Sequence, residues 1–81
     1  MKLEVRLFAG LKCSNPELPC FGKNEFDLEV PASITLEALH KLLKLDSKYP
    51  LINMINGIAQ KDDWVLLEGD RVGIFPPVGG G

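Results

Sequence analysis

With 81 residues the chain has room for one domain, and a domain of that size buries only about 60–65% of its unfolded surface, leaving little space for a deep pocket. An apolar fraction of 46% against 25% charged is that of an ordinary globular protein and excludes whole-chain disorder. A net charge of −2, with nine basic residues scattered among eleven acids, makes no basic stripe, and no apolar run approaches the ~20 residues of a membrane helix. Neither nucleic acid nor membrane is therefore expected as a partner.

The first residues, Met1-Lys2-Leu3-Glu4, place an acid where a signal peptide would be apolar, so a cytoplasmic chain is expected. Leu3, Val5 and Leu7 alternate with Lys2, Glu4 and Arg6, the period of a half-buried strand. Gly10 to Asn24 contains Asn15-Pro16, Pro19 and Phe21-Gly22 and reads as a long connection. It carries Cys13 and Cys20. Structural zinc wants four ligands, so these two read as ordinary loop thiols, reduced in a cytosolic chain.

Phe26, Leu28 and Val30 alternate with Asp27 and Glu29, a second strand that Pro31 ends. Thr35 is placed to cap a helix, with Ile34 and Leu39 as its hydrophobic staple and Glu37 in its first turn. Leu36, Leu39, Leu42 and Leu43 make one apolar stripe, and Pro50 closes the segment. Ile52 to Ile55 is a third apolar run, followed by the turn signal Asn56-Gly57. In Ala59 to Leu67 the pattern is ambiguous: Val65 to Leu67 is either a short strand or the edge of a turn. Glu68-Gly69-Asp70 is a turn, and Val72 and Ile74 define the last strand, which Pro76-Pro77-Val78 cannot continue. One helix on one mixed sheet of four to five strands is an α+β arrangement in a single domain, residues 1–81.

Conventional catalytic parts are nearly absent. His40 is the only histidine, no Ser or Cys has an evident base, and His40 reads as a partly exposed helix position. Asp62-Asp63 and Glu68/Asp70 read as solvated turn carboxylates. The glycine-rich end lacks the Lys-Ser/Thr of a phosphate loop and no helix follows it. No bound metal or cofactor is expected. The unusual feature is the end itself. Two prolines stiffen the exit from the last strand, and Gly79-Gly80-Gly81 carry no side chains, so a slim, flexible tail (79–81) can thread a narrow channel and deliver its carboxylate to a buried site elsewhere. The plain alternative is a frayed terminus.

Phe75-Pro76-Pro77-Val78-Gly79-Gly80-Gly81 resembles the Phe-Pro-Pro-Val-x-Gly-Gly ending of the small subunit of molybdopterin synthase, in the MoaD/ThiS group of ubiquitin-like sulfur carriers. Leu66-x-Glu68-Gly69-Asp70-Arg71-Val72, Asn56-Gly57, Thr35 to Leu39 and Val5 to Ala9 are similar to that group's other landmarks, in the same order. Cys13 to Asn24 has no counterpart, and Glu68 stands where Asp is more usual. The resemblance implies a β-grasp (ubiquitin-like) fold. It implies that a ubiquitin-activating-enzyme-like adenylyltransferase uses ATP to adenylate the Gly81 carboxylate. A sulfur donor then converts it to a thiocarboxylate, which enters the large subunit of molybdopterin synthase and supplies sulfur to the molybdenum or tungsten cofactor. The small chain is not catalytic alone; Gly79 and Gly80 would thread the tail.

If Leu3, Val5 and Leu7 face the helix, then Glu4, Arg6 and Phe8 face away, as do Arg71, Gly73 and Phe75. A β-grasp sheet puts its first and last strands side by side, so Phe8 and Phe75, with Pro76, Pro77 and Val78, are expected to form a partner-binding patch at the root of the tail. A covering loop is the alternative. Other acceptors stay open: thiamine or tRNA thiolation, a ubiquitin-like modifier joined through Gly81, or a non-catalytic interaction module.

Overall fold

The computed structural model of the chain describes residues 1–45 and 50–77. The elements run β1 (Lys2–Leu7), β2 (Glu25–Glu29), α1 (Leu36–Leu42), β3 (Ile52–Ile55), β4 (Ile58–Gln60) and β5 (Arg71–Phe75). They form a mixed five-stranded sheet in the order β2-β1-β5-β3-β4. β1 pairs antiparallel with β2 and parallel with β5, while β3 is antiparallel to both β4 and β5. β1 and β5 are parallel, so the chain must cross over between them, and that long connection contains α1.

Period-two alternation decides which face is inner. Leu3, Val5 and Leu7 of β1 and Val72 and Ile74 of β5 are buried, and Leu36, Leu39 and Leu43 of the helix segment are fully enclosed with them. Each such leucine contributes about 1.5–3 kcal/mol of burial. The helix forms where its cap allows. Thr35 is extended (φ −89°, ψ 163°), and its hydroxyl oxygen accepts the Ala38 N–H at 3.1 Å. Thr35→Ala is expected to cost about 1 kcal/mol and to lower the melting temperature by about 4–8 °C in a thermal melt.

The helix ends earlier than Pro50, for a reason that lies in the β1–β2 connection. The Ser14 N–H donates to the Leu43 carbonyl at 2.9 Å, and the Asn15 side-chain amide donates to the Leu42 carbonyl at 2.8 Å. Lys44 turns left-handed (φ 52°) and donates to the Lys41 carbonyl, while Leu45 donates to that of His40. These bonds satisfy the carbonyls that a helix end leaves without partners. Residues 46–49 lie outside the described set.

The ambiguous stretch resolves into a hairpin and a turn. Ile55 and Ile58 face each other across Asn56-Gly57, both at positive φ (52° and 84°), a type I′ turn. Ile58-Ala59-Gln60 escaped the alternation test because the strand is three residues long and its Ile and Ala are both exposed. Val65 makes only an isolated bridge to Thr35, so the turn-edge alternative is the one realised.

Two further expectations need correction. Asp70 is a buried carboxylate, 7% exposed, not a solvated one. Cys13 and Cys20 lie in a loop but inside the core, at 1% and 2% exposure. Burial first, and then the neighbouring Cys13 thiol, push the Cys20 thiol up from 9.0 to about 12. The folded state therefore holds that proton where the unfolded state has released it, and stability falls as pH rises through the window from 9.0 towards about 12. Urea midpoints are expected to drop more steeply in that window for the wild type than for Cys20→Ala.

Candidate functional site

The outer face of the sheet is divided. Towards β2 it is charged: Lys2 and Arg6 reach Asp27 and Glu25 at 3.5 and 3.3 Å, in exposed pairs that contribute little to stability. Towards β3 it is apolar. Phe8, immediately after β1, lies flat on Phe75 at the end of β5, with ring centroids 4.3 Å apart and planes 3° from parallel. Phe8 is 38% exposed, so the β1–β2 loop does not cover it. Ile52 stands opposite Phe75 and Met54 opposite Gly73 in the β3–β5 register. Glu4, Arg6 and Arg71 on the charged side and Phe8, Met54, Gly73 and Phe75 on the apolar side line a shallow groove of about 360 Å³, and Ile52 lies outside that lining.

Local sequence places each ring. The Phe8 N–H donates to the Ile74 carbonyl at 3.0 Å, which extends the parallel β1–β5 ladder by one residue. Ala9 and Gly10 then both take positive φ (56° and 87°), and Leu11 N–H returns to the Phe8 carbonyl at 3.2 Å, so the chain turns away and leaves the ring behind. Gly73 supplies the floor. A Cβ built there would meet Phe8 at 3.4 Å and Phe75 at 3.6 Å. A methyl group just touches both rings, and anything larger displaces them.

Pro76 and Pro77 continue from Phe75, both half-buried, and fix the direction in which the chain leaves this patch. Val78, Gly79, Gly80 and Gly81 lie outside the described residues. The structure thus brings Phe8, Phe75, Pro76 and Pro77 together at one end of the sheet. Gly73 lies in the same patch, on the face expected for it; Ile52 and Met54 belong there too and are not among the site residues expected from the sequence. Their signal was the alternation in Ile52-Asn53-Met54-Ile55, which puts residues 52 and 54 on the face away from the core.

A second group of polar side chains lies away from this patch. His40 Nε2 lies 2.6 Å from Asn53 Oδ1, and the Asn53 amide donates to Asp62 Oδ1 at 2.8 Å and to the Gln60 carbonyl at 3.3 Å. This network ties α1, β3 and the turn after β4 together, but it meets no nucleophile. Among the described residues no three His, Cys, Asp or Glu side chains cluster closely enough to hold a metal ion.

One helix on a five-stranded mixed sheet with a central parallel pair defines a β-grasp, ubiquitin-like protein. The model of the ThiS family matches residues 5–81, and the chain belongs to that family. The crystal structure of SAMP1 from Haloferax volcanii superposes with a TM-score of 0.64 at 20% identity, covering 100% of both chains, a likeness of fold. Among curated proteins none matches this chain.

Proposed function

We propose that this protein is a sulfur carrier whose Gly81 carboxylate is the working group. A ubiquitin-activating-enzyme-like adenylyltransferase docks on the Phe8/Phe75 patch and receives the tail. A carboxylate oxygen of Gly81 attacks the α-phosphorus of ATP and pyrophosphate leaves. A sulfur nucleophile then adds to the acyl carbon and AMP leaves, giving a thiocarboxylate. A carboxylate is a poor acyl donor until it carries such a leaving group, which is why the activating step is needed. The thiocarboxylate sulfur then bonds to an acceptor, and water hydrolyses the acyl carbon–sulfur bond, which leaves the sulfur on the acceptor and returns the carboxylate.

The observation that carries this reading is the position of the apolar patch. It lies at the last residue of β5, one step before the two prolines that lead to the glycines, so a partner gripping the rings holds the tail by its root. Membership of the ThiS family, over a match that runs through residue 81, supports the same chemistry. For the acceptor we favour molybdopterin, on the Phe75-Pro76-Pro77-Val78 ending, with the large subunit of molybdopterin synthase as second partner and the cytoplasm as the compartment.

The test is the intact mass of the protein after incubation with the activating enzyme, ATP and a sulfur donor, with a Gly81-deleted chain as control. A gain equal to replacing one oxygen by sulfur, absent from the control, is expected. Isopeptide conjugates to lysine in place of that gain, or no gain with an enzyme active on another carrier, overturn the proposal.

A further inference from the structure

The carrier chemistry makes no use of Cys13 and Cys20, yet both are enclosed in the core and their sulfurs lie 2.8 Å apart. A disulfide bond is about 2.05 Å long, so less than about 1 Å separates them from bonding distance. Their backbone is already closed around them: the Cys13 N–H donates to the Lys23 carbonyl at 2.9 Å, the Gly22 N–H to the Cys13 carbonyl at 2.7 Å and the Lys23 N–H to the Cys20 carbonyl at 2.8 Å. The next two residues, Ser14 and Asn15, supply the bonds that end α1. From this juxtaposition we propose that Cys13 and Cys20 are a reversible dithiol/disulfide staple, which on oxidation locks the β1–β2 lobe onto the C-terminal end of the helix.

The reaction balances with a low-molecular-weight disulfide such as oxidised glutathione as oxidant. One cysteine, as thiolate, attacks a sulfur of that disulfide and expels one glutathione thiolate, leaving a mixed disulfide. The second cysteine attacks the protein-side sulfur and expels the other. The two protons lost by the cysteines are taken up by the two expelled glutathione thiolates, so two protein thiols become one disulfide and the oxidant is reduced to two thiols. Because the sulfurs already face each other, the second step is intramolecular and fast, and the mixed disulfide does not accumulate. The first step needs the lobe to open, since both thiols are buried, and the high pKa of Cys20 keeps its thiolate scarce until then.

Closing the ring from Cys13 to Cys20 restricts the unfolded chain and leaves the folded one nearly unmoved, so the oxidised protein is the more stable form. The stack of Phe8 on Phe75 lies outside the ring, and the sheet face is expected to be the same in both redox states.

The test uses the full-length protein, incubated with excess oxidised glutathione and then sampled by intact mass, by peptide mapping without reduction and by thermal melting. The expected result is the loss of two hydrogen atoms, a single linked pair of peptides carrying Cys13 and Cys20, and a rise in melting temperature of roughly 5–15 °C that dithiothreitol reverses. Cys13→Ala/Cys20→Ala, melted in both buffers, is expected to show no such rise. Stable glutathione adducts, thiols that stay reduced under conditions that oxidise the urea-unfolded chain, or a disulfide that leaves the melting temperature unchanged or lower each overturn the proposal. None of these readouts involves Gly81, so the outcome is independent of the carrier chemistry.

Discussion

Phe75→Ala is expected to weaken binding to the activating enzyme by about 30-fold while lowering the melting temperature by only a few degrees. The ring is half-buried in the free protein, where it gives up an aromatic pair worth about 0.5–1.5 kcal/mol beyond its area. In a complex it becomes the centre of a desolvated patch, where truncating an aromatic anchor costs about 2 kcal/mol or more. Isothermal titration of the two proteins beside thermal melts separates the two effects. Gly73→Val is the companion variant. It removes no ring and suits a strand, but its branches enter the space that Phe8 and Phe75 occupy above residue 73. It is expected to weaken binding to a similar extent and to shift the aromatic proton resonances of both rings. Unchanged affinity in both variants, or a fall in melting temperature beyond about 10 °C with affinity intact, would sink the assignment of the patch to docking.

The reason the patch was legible in advance is topological. Alternation in β1 assigns Phe8 a face only relative to Leu3, Val5 and Leu7, and alternation in β5 does the same for Phe75 relative to Val72 and Ile74. Once the two strands are known to be parallel neighbours, those two assignments put the rings side by side. Parallel pairing came from the family resemblance, because nothing local in a sequence encodes which distant strand lies beside it. The cap at Thr35 and the turn at Asn56-Gly57 were legible for the opposite reason: each is closed within three or four residues.

What stayed hidden was non-local and polar. Asn53 reads as an interruption in an apolar run. In the fold it is 2% exposed and supports His40 and Asp62, which are 13 and 9 residues away in the chain. The burial of Cys13 and Cys20 was equally invisible. A loop rich in Pro, Gly and Asn predicts turns, but not that the turns fold inward over the end of a helix that follows later in the chain. β4 was lost because three residues at a sheet edge with no buried side chain show no period.

Asp70 carries the second large expectation, since the same non-local logic concentrates several donors on one side chain. Its Oδ1 accepts the Asn56 amide at 2.9 Å and its Oδ2 accepts the Leu67 N–H at 2.9 Å, while the Arg71 N–H donates to Asn56 Oδ1 at 3.0 Å. One carboxylate therefore holds the β3–β4 turn, the Glu68-Gly69 turn and the start of β5 in register. Asp70→Ala leaves two donors without an acceptor at a site 7% exposed. An unsatisfied buried group costs about 1–3 kcal/mol, and because Asn56 and Leu67 are themselves exposed residues water recovers part of this, so a loss of about 2 kcal/mol is expected, or roughly 8–16 °C in melting temperature. Asp70→Asn keeps the shape but offers one acceptor and turns a second donor towards a donor, and it is expected to fall between the two. If these groups act as a unit, Asn56→Ala added to Asp70→Ala costs much less than the sum of the two single changes, and a double-mutant cycle by urea denaturation reads that coupling directly. A loss below about 1 kcal/mol for Asp70→Ala, or strict additivity with Asn56→Ala, would mean that water replaces the carboxylate and that the register of β5 is set by the strand ladder alone.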